Sequence, residues 1–371
     1  MIERSWRKPV RVGPLTVGGD APISVQSMTK TDTRDIDATV AQIHRLEDAG
    51  CDLVRVAVPD EKAARALGEI KRQINIPLIA DIHYHGEFAL IAIEQGVDKI
   101  RLNPGNLRKP EMVSRIAALC RERDIPIRVG ANAGSVAEDV LARYPQGHEG
   151  LALALVDNAL EQIALLEREG MDNIIIALKA FDIDTALYAY RAMADRVAYP
   201  FHVGITEAGL PPAGIVRSVA GLTMILSAGL GDTLRVSLTA EPEEEVRVGI
   251  ETLRSLRLRT GGLTIVACPS CGRVEVDLHA LAKEVEEKLR PLDKELAAAG
   301  KELRVSVMGC VVNALGEARD ADVGLGGGKN KGIIFRHGER VNTVPEGELV
   351  DGLIAQVRAE LDGAVAGDAS K

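Results

Sequence analysis

The sequence predicts a (β/α)8 TIM barrel followed by a smaller α+β domain. Three observations carry this. Two kinds of strand signal interleave four times each as far as Val236, helical periodicities fill the gaps between them, and the rest of the chain has a different rhythm with three clustered cysteines. The first signal is proline followed by a short β-rich run: Pro22-Ile-Ser-Val, Pro77-Leu-Ile-Ala, Pro126-Ile-Arg-Val and Pro200-Phe-His-Val. Proline can begin a strand because it need not donate there. The second is a helix-ending glycine, an aspartate and a strand: Gly50-Cys-Asp-Leu-Val-Arg-Val, Gly96-Val-Asp-Lys-Ile-Arg-Leu, Gly170-Met-Asp-Asn-Ile and the degenerate Gly231-Asp-Thr-Leu-Arg-Val. Glycine after a helix is the usual C-terminal cap.

The intervening segments read as helices. Val40, Ile43 and Leu46 share a face over 36–49, as do Leu155, Ala159, Ile163 and Leu166 over 151–169. Eight strands alternating with helices close naturally into a barrel, the alternative being an open doubly wound sheet. The barrel is assigned to residues 1–262 and the second domain to 263–371. The latter reads as a strand (264–267), a helix (278–289), a strand (304–308), a glycine-rich turn (324–332), a last helix (346–361) and a frayed tail from Ala364.

Composition narrows the function. The 371 residues are 46% hydrophobic, ample for a buried core. Aromatics are only 3% and the net charge is −9, which disfavours stacking on single strands and broad phosphate-backbone binding, so no nucleic acid is expected. No apolar run is long enough to span a bilayer, and the basic start lacks the apolar stretch of a signal peptide. Five unevenly spaced cysteines suit a metal or redox site in a cytoplasmic protein better than a disulfide framework.

The barrel chemistry emerges when the glycine–aspartate units are aligned. Arg55, Arg101 and Arg235 each stand three residues after an aspartate; the remaining unit has Ile175 there and Lys179 further along. If that register faces inward, several guanidinium groups share one small space, joined by Arg128, His202 and His83 of Asp81-Ile-His83. Such a cluster is an anion pocket, and a diphosphate matches its several charges. The alternative is that the arginines face the outer helices and snorkel to water. Asn103, Asn132, Thr206 and Ser237 follow the same strand ends and offer neutral hydrogen bonds, although Asn103–Asn106 reads equally as a turn. Glu207 reads as an acid–base group or as a counter-ion to the arginines.

In the second domain, Cys268-Pro-Ser-Cys271 follows one strand and Cys310 another. Three thiolates suit a metal centre, either an iron–sulfur cluster with one labile iron or a structural zinc; spacing leaves both open. Cys51 and Cys120 are poorly placed as a fourth ligand, which leaves Asn313, Glu317, Asp320 and His337. Gly324-Leu-Gly-Gly-Gly-Lys329-Asn330 lacks the spacing of a phosphate loop, and His83-Tyr-His85 is too little for a metal site.

Ile23-Ser-Val-Gln-Ser-Met28-Thr29, Ala80-Asp-Ile-His83, Arg101-Leu-Asn103-Pro-Gly-Asn106, Gly204-Ile-Thr-Glu207-Ala-Gly209, Gly231-Asp-Thr-Leu-Arg235-Val-Ser237, Ala267-Cys-Pro-Ser-Cys271 and Gly309-Cys-Val-Val-Asn313 occur in that order. Together they resemble, over nearly the whole chain, the bacterial hydroxymethylbutenyl diphosphate synthases, the IspG or GcpE family of the non-mevalonate isoprenoid pathway, in its short two-domain form. The resemblance implies reductive opening and dehydration of a cyclic diphosphate, methylerythritol cyclodiphosphate. Electrons would arrive one at a time through a [4Fe-4S] cluster from reduced flavodoxin or ferredoxin. It implies Cys268, Cys271, Cys310 and Glu317 as cluster ligands, with Glu317 displaced by substrate. Arg55, Arg101, Arg128, Lys179 and Arg235 would hold the diphosphate, with His83, Asn103, Asn132 and Ser237 nearby and Glu207 as the barrel acid. It also implies a homodimer in which each cluster domain covers the partner's barrel. One departure is Asn313-Ala314-Leu315-Gly316-Glu317, where the family usually reads Asn-Gly-Pro-Gly-Glu; the loop's stiffness differs accordingly. The competing functions are a non-redox phosphosugar lyase or aldolase with a structural zinc domain, Lys179 forming a Schiff base, and a scaffold whose cluster senses oxygen.

Overall fold

The structure is a computed structural model that describes residues 2–83, 85–102, 110–136, 138–310, 314, 316 and 320–368. It divides into two units, Met1–Arg259 and Thr260–Lys371.

The first unit opens with an antiparallel hairpin, β1 (Val10–Val12) and β2 (Leu15–Val17), which carries neither strand signal. Eight parallel strands follow, each at one of the marks read from the sequence: β3 (Ser24–Met28), β4 (Leu53–Ala57), β5 (Leu78–Ile82), β6 (Lys99–Leu102), β7 (Ile127–Asn132), β8 (Ile174–Lys179), β9 (His202–Val203) and β10 (Thr233–Leu234). Their order is β8-β7-β6-β5-β4-β3-β10-β9, and an Ile176–Phe201 bridge joins the two ends into a barrel.

The strands obey a period of two. Val54, Val56, Leu78, Ala80, Ile100, Ile127, Ile174 and Ile176 point outward into one core shared with the surrounding helices. Each valine, leucine or isoleucine among them contributes roughly 1.5–3 kcal/mol by leaving water. Leu53, Ile79 and Ile175 point inward and pack on Val10, Val12 and Val17, so the hairpin plugs the barrel floor.

The repeated aspartates have a structural task at the same end. Asp52 Oδ2 accepts from Val25 N (2.7 Å), Asp98 Oδ2 from Leu78 N (2.7 Å) and Asp232 Oδ2 from Phe201 N (2.8 Å). Each pins the start of a neighbouring strand, and each pairs with a cation: Arg259, Lys71 and Arg4 respectively. The weakest seam lies between β8 and the very short β9. Tyr190 on α7 (Ile183–Ala194) spans it: its hydroxyl accepts from Leu178 N (3.0 Å) and donates to the His202 carbonyl (2.7 Å).

The second unit has a five-stranded sheet ordered β11 (Gly262–Ala267), β12 (Glu302–Met308), β13 (Val323–Gly326), β14 (Lys331–Arg336) and β15 (Glu339–Pro345). The first three run parallel and the rest antiparallel. Leu278–Ala298 and Leu349–Asp368 form its two long helices, which pack into a core of their own with the sheet. Three expectations need correction. The helix that starts at Leu278 continues past Pro291, because buried Leu296 extends the apolar stripe of Val285 and Leu289 into the same core. The final helix continues beyond residue 361 to Asp368. The glycine-rich 324–332 segment is two strands joined by a short turn. A Cβ on Gly324 would lie 2.2 Å from Phe335 Cζ, so the glycine makes room for that ring rather than for a bend. Among the described residues no helix is long and apolar enough to cross a membrane.

Candidate functional site

Inside the barrel, above the plug, the side chains are polar or small where TIM barrels usually stack branched apolar layers. Arg55, Asp81, Arg101 and Arg128 lie on the inward face of β4 to β7, and Arg101 sits in register between Asp81 and Arg128. The arginines therefore face the lumen, not the outer helices. Asp81 is 2% exposed and binds two of them: Arg101 Nη1 at 2.9 Å and Arg55 Nε at 3.6 Å. Burial would push the Asp81 carboxyl up, but Arg55 and Arg101 outweigh it and hold the group below its ordinary range. Arg101 Nη1 also lies 2.8 Å from His83 Nε2. Burial holds that imidazole below its usual value, Asp81 opposes the effect and the arginines add to it. Arg235, just past β10, meets Glu245 Oε2 at 3.4 Å, and Met28 Sδ lies against both Arg55 (3.0 Å) and Arg235 (3.9 Å).

These carboxylates leave most of the donors unanswered. Nε of Arg55, Arg101 and Arg235, and both Nε and Nη1 of Arg128, are buried without a hydrogen-bond partner among the described residues. Burial, then Arg55 and Arg101, bear against the charged form of Arg128. A guanidinium keeps its proton in proteins, so an anion among these groups would relieve the repulsion. Lys179 is 8% exposed and held well below its ordinary value, first by burial and then by Arg128 and Arg235. Two glycines open the space: a Cβ on Gly130 would sit 3.6 Å from Arg101 Nε, and one on Gly204 only 2.3 Å from the Arg235 carbonyl oxygen and 3.3 Å from Lys179 Nζ.

The remaining expected residues fall at the strand C-termini, where this fold places its sites. Asn132 pairs with Lys179 at the ends of β7 and β8. Ser237 lies just beyond β10 and is half-buried. Glu207 is exposed on the loop after β9, with φ of 54°, a left-handed conformation that a non-glycine residue adopts at some strain. Asn103 lies outside the described residues. Lys99, Gln26 and Glu245 also line or brace the lumen and had no role in the sequence reading. Lys99 stands two residues before Arg101, so strand periodicity alone would have put both on one face.

In the second unit, β11 and β12 run parallel in register through Ala267 and Val307, so the loops bearing Cys268, Cys271 and Cys310 leave the same end of the sheet. Gly309 N lies 3.4 Å from Cys268 Sγ, and Glu275 N donates to the Gly309 carbonyl (3.2 Å), tying the two loops together. A Cβ on Gly309 would meet Val274 at 2.7 Å, so glycine allows the approach. All three thiols are free. The Arg273 backbone and side chain lower the pKa of the Cys271 thiol, favouring the thiolate, and Arg273 also feels Cys310. Among the described residues no three His, Cys, Asp or Glu side chains converge on a single ion. Free thiols on loops that leave one end of the sheet, one of them favoured as thiolate by Arg273, are a donor set that suits a metal centre.

Glu317 and Asn313 lie outside the described residues. His337 is not a ligand candidate. It follows β14 at the sheet end opposite the thiols, donates from its backbone to Asp322 O (2.9 Å) and pairs through its ring with Glu360 (3.1 Å). Cys51 and Cys120 are buried in the barrel's helix-facing core, and burial pushes both thiols up to about 12.

Comparison with known proteins agrees across both units. The GcpE TIM-barrel domain matches residues 7–250 and the GcpE protein C-terminal domain matches residues 264–359. The 4-hydroxy-3-methylbut-2-en-1-yl diphosphate synthase (flavodoxin) of Geobacter sulfurreducens is 51% identical over 350 residues, covering 94% of this chain and 96% of that one. Proteins of the same name from Geobacillus kaustophilus and Dehalococcoides mccartyi are each 48% identical over 357 residues. Each alignment covers 96% of this chain, with 93% and 99% of those proteins respectively.

Proposed function

The chain belongs to the GcpE family, and from that premise we propose that it converts 2-C-methyl-D-erythritol 2,4-cyclodiphosphate to 4-hydroxy-3-methylbut-2-enyl diphosphate. It is an oxidoreductase. The dianionic ring takes up two electrons and one proton, a carbon–oxygen bond to phosphate breaks, and a hydroxyl leaves as water. Reduced flavodoxin or ferredoxin is the proposed donor, the compartment is the cytoplasm, and the working assembly is a homodimer of barrel (1–262) and cluster domain (263–371).

One observation carries the reading: a buried set of guanidinium donors whose acids, Asp81 and Glu245, leave several N–H groups unanswered. Such a lumen is unfavourable empty and complementary to a compact polyanion. Arg55, Arg101, Arg128, Arg235 and Lys179 would grip the two phosphates, with forked guanidinium donors matching phosphoryl oxygens. His83, Asn103, Asn132 and Ser237 would orient the carbon portion at the rim. Glu207 would deliver the proton to the departing hydroxyl. Cys268, Cys271, Cys310 and Glu317 would hold a [4Fe-4S] cluster, which when bound supplies electrons singly.

The test is turnover. Protein purified without oxygen is mixed with the cyclic diphosphate and chemically reduced flavodoxin, and the open diphosphate is followed by phosphorus NMR. Product formed in proportion to enzyme supports the proposal. No product from iron-loaded protein contradicts it.

A further inference from the structure

Beneath the proposed diphosphate site lies a second polar layer for which that reading has no use. Lys99 points into the lumen one same-face step below Arg101 and is completely buried. Among the described residues its one hydrogen-bond partner is Gln26 Oε1, at a long 3.5 Å. Across the lumen, His202 is also completely buried, and neither ring nitrogen has a partner among the described residues. His202 sits in register with Thr233, and Thr233 with Ser24. The side-chain oxygens of Ser24 and Thr233 and the Gln26 amide nitrogen are likewise buried and unpartnered.

We propose that Lys99 and His202 form a protonation layer under the pocket, uncharged in the empty barrel and taking up a proton when the anionic ligand enters. The proposal deepens the diphosphate-site reading and rests on it.

The groups facing Lys99 are Gln26 from β3, Arg55 from β4 and Arg128 from β7; those facing His202 are Lys179 from β8, Arg128, Lys99 and Arg55, with Thr233 from β10. Every charged member of both sets is a cation. The lumen carboxylates are already engaged, Asp81 by Arg55 and Arg101 and Glu245 by Arg235. Burial first, and these cations next, hold both Lys99 and His202 well below their ordinary values. A guanidinium cannot answer such a field by losing its proton, but an amine and an imidazole can. A dianion lodged among the arginines reverses the local field and favours the charged forms. The layer then contributes positive charge only when there is an anion to hold.

The ligand makes this measurable. Each phosphate of a cyclic diphosphate carries a single strongly acidic oxygen, so the ligand has no proton of its own to exchange near neutral pH. Any proton bound on complex formation belongs to the protein. By linkage, uptake of one proton weakens affinity by about tenfold per pH unit as the solution becomes more alkaline.

The experiment titrates the cyclic diphosphate into the full-length, cluster-loaded, oxidised protein with no electron donor. Calorimetry at pH 8 in two buffers of different ionisation heat counts the protons. Wild type should take up about one proton per site. Lys99→Met should take up less than half as much, and Lys99→Met with His202→Asn only the small remainder that Lys179 and His83 supply. The pH slope of wild-type affinity gives the same count without any variant. Tight wild-type binding with no proton exchange overturns the proposal and leaves the diphosphate site standing, as does full uptake in the double variant. Absence of any wild-type binding overturns the diphosphate site and this proposal with it.

Discussion

Arg128→Met separates a binding arginine from a structural one, because the two roles predict opposite signs. Arg128 is 3% exposed, its Nε and Nη1 have no partner among the described residues, and Arg55 and Arg101 lie against it. Replacing a buried charge by an apolar side chain of similar length is often stabilising, by about 1–4 kcal/mol. At roughly 2 °C per kcal/mol for a unit of this size, the ligand-free protein should melt about 2–8 °C higher. Two lost hydrogen bonds to a charged ligand, at about 1.5–3 kcal/mol each, remove about 3–6 kcal/mol of binding. That corresponds to a Kd for the cyclic diphosphate raised about 10²–10⁴-fold. Differential scanning calorimetry and equilibrium titration of the oxidised protein give both numbers on one sample. A variant that melts lower while binding normally would refute the reasoning, since Arg128 would then be part of the scaffold.

Four further outcomes follow from the geometry. Tyr190→Phe removes the partner of both Leu178 N and the His202 carbonyl across the β8–β9 seam; urea unfolding should show a loss of about 2–6 kcal/mol at 1–3 per orphaned group. Burial first, and then Lys179 and the arginines, hold His202 well below its ordinary value, so below about pH 6.5 its unfolded counterpart is the readier to bind a proton. The unfolded state then binds more protons, so stability should fall on acidification from that point by up to about 1.4 kcal/mol per pH unit, and His202→Asn should flatten the decline in melting temperature. Glu207→Gly relieves a left-handed backbone, so it should raise the unfolding free energy by about 1 kcal/mol while turnover collapses. Cys310→Ser should abolish iron binding while far-ultraviolet circular dichroism stays that of the folded protein.

Much of this was legible because the barrel repeats its own grammar. The three-residue offset from Asp52, Asp98 and Asp232 to Arg55, Arg101 and Arg235 put equivalent residues on equivalent strands, and their shared inward register follows from that. The aspartates are repeated for a local reason, the pinning of the adjoining strand, which makes the alignment physically meaningful. Other features were not local. The β1–β2 hairpin is a plug only because Leu53, Ile79 and Ile175 come together from distant strands. Lys99 shares the Arg101 face by strand periodicity, but its complete burial and the partnerless ring of His202 near it follow only from barrel closure. Tyr190 shares a helix face with core residues, and nothing nearby in sequence announces the seam it spans. His337 qualified as a ligand by residue type alone, and the antiparallel run of β14 carries it to the wrong end of the sheet.

The redox assignment is the claim on which the functional account turns, and metal analysis of protein purified without oxygen reaches it most directly. The account predicts a brown protein with about four irons and four acid-labile sulfides per chain. Stoichiometric zinc with no labile sulfide would contradict it.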